Sequence, residues 1–250
     1  MGRENYPAGH LLLWSNGQVV NIIPKVFPEP PTSYTEIKTI SQSEEFVAPE
    51  NGYYQIVAAS KGGNGARGVT NQLTNWWQRA RGGGGGTPAI SRKSLIKLSE
   101  GEKLSLVIES NGGIRVPQIG ISISPGQNGT SPRDASAGGS GGAGGKASGG
   151  DENIQGKYGA SGVGNFYDQP GTSFQGGSST ALQNSYGLSC YGGGPGGDYE
   201  TRGSAAVIKI YRGNTNLPVS IQNAYDITTN SLEIAALAQE QTGILLSTLA

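Results

Sequence analysis

The sequence is poor in the residues that most enzyme chemistry needs. Its 250 residues include one cysteine, Cys190, and one histidine, His10. A single cysteine excludes an internal disulfide framework. The only histidine lies near the N-terminus, outside the glycine-rich central region, so neither a zinc cluster nor a Cys–His nucleophile pair is expected there. We therefore predict a protein that is not an enzyme, with no catalytic residue, no metal site and no cofactor.

The sequence also lacks an excess of either charge and lacks long apolar runs. Its 18 basic residues are balanced by 18 acidic residues, so no strongly basic field is present to hold nucleic acid or an anionic membrane. No apolar run approaches the roughly 20 residues that cross a bilayer as a helix. We expect no nucleic-acid partner, no membrane insertion, and assembly in a cytoplasm.

Glycine, by contrast, is in large excess. The chain contains 43 glycines, whereas average usage is about 7%. Short β-type segments bracket the glycine-rich part on both sides, which indicates a folded all-β domain and not a linker. Strand signals are found at residues 46–59, where a turn at Asn51-Gly52 precedes a β segment at 53–59, and at 95–98, 104–109, 118–122 and 205–211. Residues 94–98 and 104–108 are predicted to form a hairpin.

The stretch from Ser136 to Gly150, SAGGSGGAGGKASGG, repeats glycine pairs with a period of three. Polyproline-II geometry has three residues per turn, so Ser140, Ala143 and Lys146 are expected on one face and the glycine pairs on two bare faces. Bare faces allow neighbouring backbones to approach and exchange hydrogen bonds. Flexible loops are the alternative. Segments that could pack in this way are residues 62–68, 82–86, 138–150, 156–164 and 192–197.

Three parts follow along the chain. Residues 1–44 contain a predicted strand at 19–23 and a proline-rich spacer at 27–31, and we interpret them as an extended N-terminal attachment arm. Residues 45–212 form the glycine-rich domain. Residues 213–250 form a C-terminal extension whose apolar spacing predicts a short helix from about residue 230. The predicted fold class is all-β: a glycine-rich, β-sandwich-like domain with polyglycine or polyproline-II-type segments.

Two patterns resemble enzyme motifs. Residues 63–68 match G-x-G-x-x-G, and residues 69–81 after them could be a helix, but no second parallel strand and no further βα repeat follow, which disfavours dinucleotide binding. Paired carboxylates could act as glycosidase acids. The candidates are Asp134, Asp151, Glu152, Asp168 and Asp198, and a glycan hydrolase remains the weaker alternative.

Aromatic residues lie among glycine and polar residues, outside the predicted strands. Such side chains can stack on sugar rings or fill a protein pocket, or they can pack locally against bare glycine faces. Phe174 belongs to this set but is not among the residues predicted to contact a ligand. The selected contact residues are Trp76, Trp77, Tyr158, Phe166, Tyr167, Asp168, Tyr186, Tyr191 and Tyr199.

Several motifs resemble the glycine-rich domains of bacteriophage tail proteins. FVAPENGYY at residues 46–54 is similar to their entry strand, and GGGGG at 82–86 to the run before a second strand. GGDENIQG at 149–156 and the glycine run at 192–197 before the last strand are similar to their later segments. The resemblance covers about residues 45–212 and rests on the order of these motifs.

This resemblance implies a structural or receptor-binding part of a tail fibre, tip or baseplate. The chain would attach to other tail proteins through its termini and present glycine-rich loops to the host, so the nine selected residues become candidate contacts to a cell-surface glycan or protein. The location implied is the virion tail. A purely architectural tail protein without receptor contact is the alternative, and a homo-oligomer stays open.

Overall fold

The computed structural model describes residues 30–214 as an all-β structure, which confirms the predicted class. The helix predicted beyond residue 230, the strand at 19–23 and most of the arm lie outside these residues. One short 3-10 turn, Pro117–Ile119, is the only helical element described. The strands are Ser33–Ile40 (β1), Glu44–Val47 (β2), Gly52–Ala59 (β3), Val69–Gln72 (β4), Trp77–Ala80 (β5), Ile90–Leu98 (β6), Lys103–Ile108 (β7), Ile114–Val116 (β8), Ile121–Ile123 (β9), Ala147–Ser148 (β10), Glu152–Ile154 (β11), Phe166–Asp168 (β12), Thr180–Ala181 (β13), Tyr191–Gly192 (β14) and Val207–Asn214 (β15).

Two five-stranded sheets contain most of the long strands. The first has the order β1-β15-β3-β6-β11 and the second β10-β9-β8-β7-β2. In the first sheet, β3 pairs antiparallel with both β6 and β15. Residues 33–40, which the sequence assigns to the arm, instead form the strand next to β15, and Glu36 there accepts an ion-paired hydrogen bond of 2.9 Å from Lys209.

Side chains from both sheets join one buried hydrophobic cluster. Tyr54 and Ile208 come from the first sheet, Leu106 and Ile114 from the second, and all four are essentially inaccessible to solvent. Burying such an aliphatic side chain stabilises a fold by about 1.5–3 kcal/mol. Phe46 of β2 meets Tyr54 of β3 edge to face, with ring centroids 5.7 Å apart, and so links the two sheets.

The predicted hairpin of residues 94–98 and 104–108 is wrong. β6 pairs with β3, whereas β7 pairs with β2 and β8 in the other sheet. A turn closed by the Glu102 N–H on the Ser99 carbonyl, with Gly101 at φ 78°, carries the chain across. The apolar residues of both strands are buried in the same cluster, from its two sides. A hairpin within one sheet would show the same alternation of apolar and polar residues in the sequence.

Two further local predictions are corrected. The strand predicted at 118–122 is divided, because the turn at Pro117–Ile119 and left-handed Gly120 precede β9 at Ile121–Ile123. Residues 69–81, which could be a helix on sequence alone, instead contain the antiparallel hairpin β4–β5. Val69, Thr70 and Trp77 are residue types that favour strands, and the Leu73 N–H closes the turn on the Trp76 carbonyl.

The glycine-rich stretches continue directly from the sheet strands and are joined by regular backbone hydrogen bonds. We call residues 81–87 the central segment. Its successive N–H groups donate to three different neighbouring segments in rotation, at 2.7–3.0 Å. The donor–acceptor pairs are Arg81–Val163, Gly84–Ala160 and Thr87–Lys157; Gly82–Gly196 and Gly85–Gly193; and Gly83–Thr130 and Gly86–Gln127.

The central segment also accepts hydrogen bonds from two more segments with the same period of three. The donor–acceptor pairs are Gly63–Gly86 and Ala66–Gly83 from residues 61–68, and Gly139–Arg81, Gly142–Gly84 and Gly145–Thr87 from residues 138–146. Donor and acceptor numbers rise together only in the last set, so residues 138–146 run parallel to the central segment and its other neighbours run antiparallel. We call these six bonded segments the glycine bundle: residues 61–68, 81–87, 124–130, 138–146, 156–163 and 192–197.

Close backbone approach explains why these positions are glycine. A Cβ atom on Gly83 would lie 1.8 Å from the Ser140 carbonyl oxygen, and one on Gly142 would lie 2.0 Å from that of Gln127. Real Cβ contacts of this kind stay above about 3 Å, so a side chain would force the segments apart. Ser140 and Lys146 are exposed, and Ala143 between them is half-buried. This agrees with the face expected from the repeat.

Candidate functional site

A small three-stranded sheet contains four of the nine predicted contact residues: Trp77, Phe166, Tyr167 and Asp168. Its order is β12-β5-β4, and all its pairs are antiparallel. Along the chain, residues 61–68 lead into β4, β5 leads into the central segment, and residues 156–163 precede β12. The glycine bundle therefore connects directly to every strand of this sheet. Phe166, Tyr167 and Asp168 of β12 lie opposite Arg79, Gln78 and Trp77 of β5.

One face of this sheet is covered by residues 169–175. Trp77 and Arg79 share this face because alternate residues of a strand point the same way. The Phe174 ring of the covering segment meets the Phe166 ring edge to face, with centroids 6.1 Å apart. Tyr167 and Gln78 lie on the opposite face, where Tyr167 is 58% exposed.

Arg79 anchors the covering segment from within. Its side chain is 1% exposed, and its Nη2 donates to the Thr172 carbonyl at 2.6 Å. The guanidinium carbon lies 4.8 Å from the Trp77 ring centroid and 5.1 Å from that of Phe174. Its ion pair with the half-exposed Asp168 is long at 3.4 Å. Its Nε has no partner among residues 30–214.

Arg81, two residues further along, holds the other end of the covering segment. Its Nε donates to the Gln175 carbonyl at 3.1 Å. Its guanidinium carbon lies 5.2 Å from the Phe166 ring centroid and 6.0 Å from that of Phe174. Two rings and a carbonyl thus fix a half-buried cation, whose Nη atoms have no partner within the described part of the chain.

These residues surround an open depression of about 410 Å³. The side chains or backbone of Arg81, Phe166, Tyr167, Asp168, Ser173, Phe174 and Gln175 line it. Within residues 30–214, the Tyr167 hydroxyl, the Ser173 hydroxyl and the Gln175 amide make no hydrogen bond to protein. Polar groups that are not used inside the fold are free to bind a ligand. We call this site the Arg81 depression.

Two more predicted aromatic residues lie at or near the same end of the bundle. Trp76, 52% exposed, sits in the β4–β5 turn. Tyr199 is 83% exposed and follows Asp198, which bonds Phe174 twice: the Asp198 carboxylate accepts the Phe174 N–H, and the Asp198 N–H donates to the Phe174 carbonyl. The structure therefore brings together Trp76, Trp77, Phe166, Tyr167, Asp168 and Tyr199.

Three predicted contact residues lie elsewhere. Tyr158 is 74% exposed on the bundle segment 156–163. Tyr191 belongs to β14, which pairs with β13. Tyr186 packs against a second buried cluster on the first sheet and donates to the Glu152 carboxylate. Burial, followed by that hydrogen bond, raises the pKa of Tyr186 above its usual value, which is consistent with a structural role.

The two arginines of the site were not predicted from the sequence. Trp77, Arg79 and Arg81 alternate along β5 and its continuation, and this period of two was the available signal. A helix over residues 69–81, which the sequence also allows, has a period of 3.6 residues and hides this signal. The role of the covering segment had no local signal, since Arg79 meets it 93 residues further along the chain.

The G-x-G-x-x-G match forms no open phosphate-binding loop in the described region. The N–H groups of Gly63, Gly65, Ala66 and Gly68, within the G-x-G-x-x-G match, all donate to carbonyls of the protein itself. Across residues 30–214, no group of three or more His, Cys, Asp or Glu side chains is placed to bind a metal ion. No helix in that range is long and apolar enough to span a membrane.

Comparison with known proteins adds no relative. No protein-family model matches the sequence, and no curated protein is significantly similar to it.

Proposed function

We propose that this chain is a bacteriophage tail component that binds the host surface through the three-stranded sheet. Residues 1–44 and 213–250 would attach it to other tail proteins, and the virion tail would be its location. We further propose that the domain is a β-sandwich extended by a polyproline-II-type glycine bundle. The period-three hydrogen bonds of the central segment support that geometry, because a helix of three residues per turn directs every third N–H the same way.

One contrast carries the functional proposal. The glycine bundle engages its backbone polar groups in regular hydrogen bonds, whereas Tyr167 of the adjoining sheet, Trp76 of its β4–β5 turn and the separate residue Tyr199 are exposed. Exposed aromatic rings beside unpaired polar groups are typical of binding surfaces, because large rigid rings contribute area at little entropic cost. A hydrogen-bonded scaffold with exposed aromatic rings and unpaired polar groups at one end favours host attachment over a purely architectural role.

Adsorption competition tests the proposal. Purified chain is expected to bind the cells to which the corresponding tailed particles adsorb and, at saturation, to lower the adsorption rate. The double variant Trp76→Ala/Tyr167→Ala should lose most of this binding while melting normally, since both side chains are largely exposed. Val47→Ala, which trims an exposed apolar residue of β2 in a different sheet, is the matched control.

Attachment to the particle is tested separately. Deleting residues 1–31 spares β1 and should leave the domain folded while preventing incorporation into particles. Normal incorporation of the deleted chain would contradict the role of the arm. Incorporation of the full chain without any cell binding would favour the architectural alternative.

A further inference from the structure

We propose that the Arg81 depression binds a sugar residue that carries a carboxylate. The inference rests on the proposed host-surface function and specifies the ligand class of that surface. It depends on two features of the depression: a fixed cation and a wall of unpaired hydrogen-bonding groups.

The cation is arranged in advance for a planar anion. The Phe166 and Phe174 rings and the Gln175 carbonyl hold the Arg81 guanidinium, while its two Nη atoms have no partner among the described residues. A guanidinium fork matches the two oxygens of a carboxylate in a bidentate pair. Because the side chain is already immobilised, little rotamer entropy remains to be lost when an anion binds.

The remaining lining suits a sugar ring. The Ser173 hydroxyl and the Gln175 amide offer donors and acceptors to ring hydroxyls. Asp168 holds Arg79 through one oxygen, Oδ2, and its Oδ1 has no partner within residues 30–214. A volume of about 410 Å³ lies within the roughly 300–1,000 Å³ typical of small-ligand pockets.

The charges of the depression favour a monoanion with hydroxyls over a stronger anion. The Asp168 carboxylate shares the lining with Arg81, so a phosphate dianion would meet repulsion that a sugar carboxylate meets less strongly. A carboxylate oxygen such as Asp168 Oδ1 accepts hydrogen bonds and therefore needs a hydroxyl, which an acidic sugar supplies beside its own carboxylate.

Calorimetry with the full chain tests the ligand class. The probes are short oligosaccharides containing glucuronic, galacturonic or sialic acid, each beside the same compound with its carboxyl reduced to an alcohol. At least one acidic member should bind about tenfold or more tightly than its reduced form, which is the scale of one charge-assisted contact. A hexose phosphate and an oligoglutamate peptide complete the panel.

Variants assign the effect to the depression. Arg81→Gln should remove the preference for the acidic form, and Arg81→Lys should restore only part of it because an ammonium cannot form the bidentate pair. Ser173→Ala should weaken binding without altering the melting midpoint, since its hydroxyl has no partner within the described fold. Arg115→Gln removes an exposed cation from β8 and should change nothing.

Each contrary outcome overturns the inference. It fails if no acidic sugar binds, if Arg81→Gln keeps the preference, or if the hexose phosphate or the peptide binds more tightly. The proposed function fails differently. If the wild-type chain and Arg81→Gln bind cells equally, the assignment of an acidic sugar is wrong and the host-surface function is unaffected. If the chain binds the sugar but no cells, the host-surface function alone is wrong.

Discussion

Gly142→Ala is expected to destabilise the domain by forcing two bundle segments apart. The new Cβ would lie 2.0 Å from the Gln127 carbonyl oxygen and 2.6 Å from that of Asn128. Reaching even a tight contact of about 3 Å requires a shift of about 1 Å. The nearest hydrogen bonds between these segments, Gln127 N–H to Ala143 at 2.7 Å and Thr130 N–H to Ser140 at 2.9 Å, would then exceed normal hydrogen-bond length.

The magnitude follows from those two bonds. A backbone group left buried without a partner costs about 1–3 kcal/mol; if water reaches one group of each broken bond and the other stays buried, two broken bonds cost about 2–6 kcal/mol. Replacing glycine restricts the unfolded chain and returns about 0.4–1 kcal/mol. A net loss of about 3 kcal/mol lowers the melting midpoint by about 6–12 °C for a domain of this size.

Differential scanning calorimetry measures the effect against two controls. Gly52→Ala makes the same substitution where the nearest heavy atom to the new Cβ, in the Tyr54 ring, is 3.9 Å away. Lys146→Glu alters an exposed position of the repeat and should shift stability by less than about 0.5 kcal/mol. If Gly142→Ala melts within experimental error of Gly52→Ala, the packed bundle is refuted and the stretch acts as a tether.

Three further outcomes are expected. Limited proteolysis of the native chain should spare residues 138–150, and rapid cleavage there would favour a flexible loop. Arg79→Met should lower the free energy of unfolding by about 1.5–3 kcal/mol, the scale of its charged bond to the Thr172 carbonyl; an unchanged urea midpoint would show that this bond contributes nothing. Burial raises the pKa of the Cys190 thiol to about 11, so at pH 8 its thiolate fraction, and with it the rate of reaction with a disulfide reagent, should be about a hundredfold lower than in the unfolded chain. Because the unfolded thiol ionises first, Cys190 should also make the fold less stable as pH rises above about 9, and a native rate equal to the unfolded rate would contradict its burial.

The repeat could be interpreted from sequence because its information is local. A period of three places Gly139, Gly142 and Gly145 in one direction, and all three are buried, whereas Ser140 and Lys146 are exposed. Residues 124–130 were missed as a bundle segment because their two glycines stand among larger residues. Gly126 and Gly129 nevertheless have the same spacing of three, which was the available signal.

Sheet partners could not be derived in the same way. β6 and β7 both alternate apolar and polar residues and are joined by a short turn, which describes a hairpin as well as it describes a crossing between two sheets. The choice is decided by pairing with β3 and β2, tens of residues away along the chain. Such pairing depends on which surfaces pack together, and a local pattern does not contain that information.

The site was predicted in part for the same reason. Trp77, Phe166 and Tyr167 could be predicted from residue type, because aromatic residues are unusual in a stretch of glycine and polar residues. The depression itself needs the covering segment, which reaches Arg79 and Arg81 through backbone carbonyls of Thr172 and Gln175. Carbonyl groups are the same in every residue, so the sequence carries no signal that these two would be the acceptors.

Arg81 belongs to both the scaffold and the site, which links the stability of one to the geometry of the other. Its backbone N–H donates to Val163 and its carbonyl accepts from Gly139, so the bundle fixes its main chain from two sides. Its guanidinium is fixed by two rings and a carbonyl. A bundle made of backbone hydrogen bonds leaves its exposed side chains free to vary, but it allows little displacement at this junction. The stiffness of the glycine bundle therefore sets the position of the cation to which we assign ligand recognition.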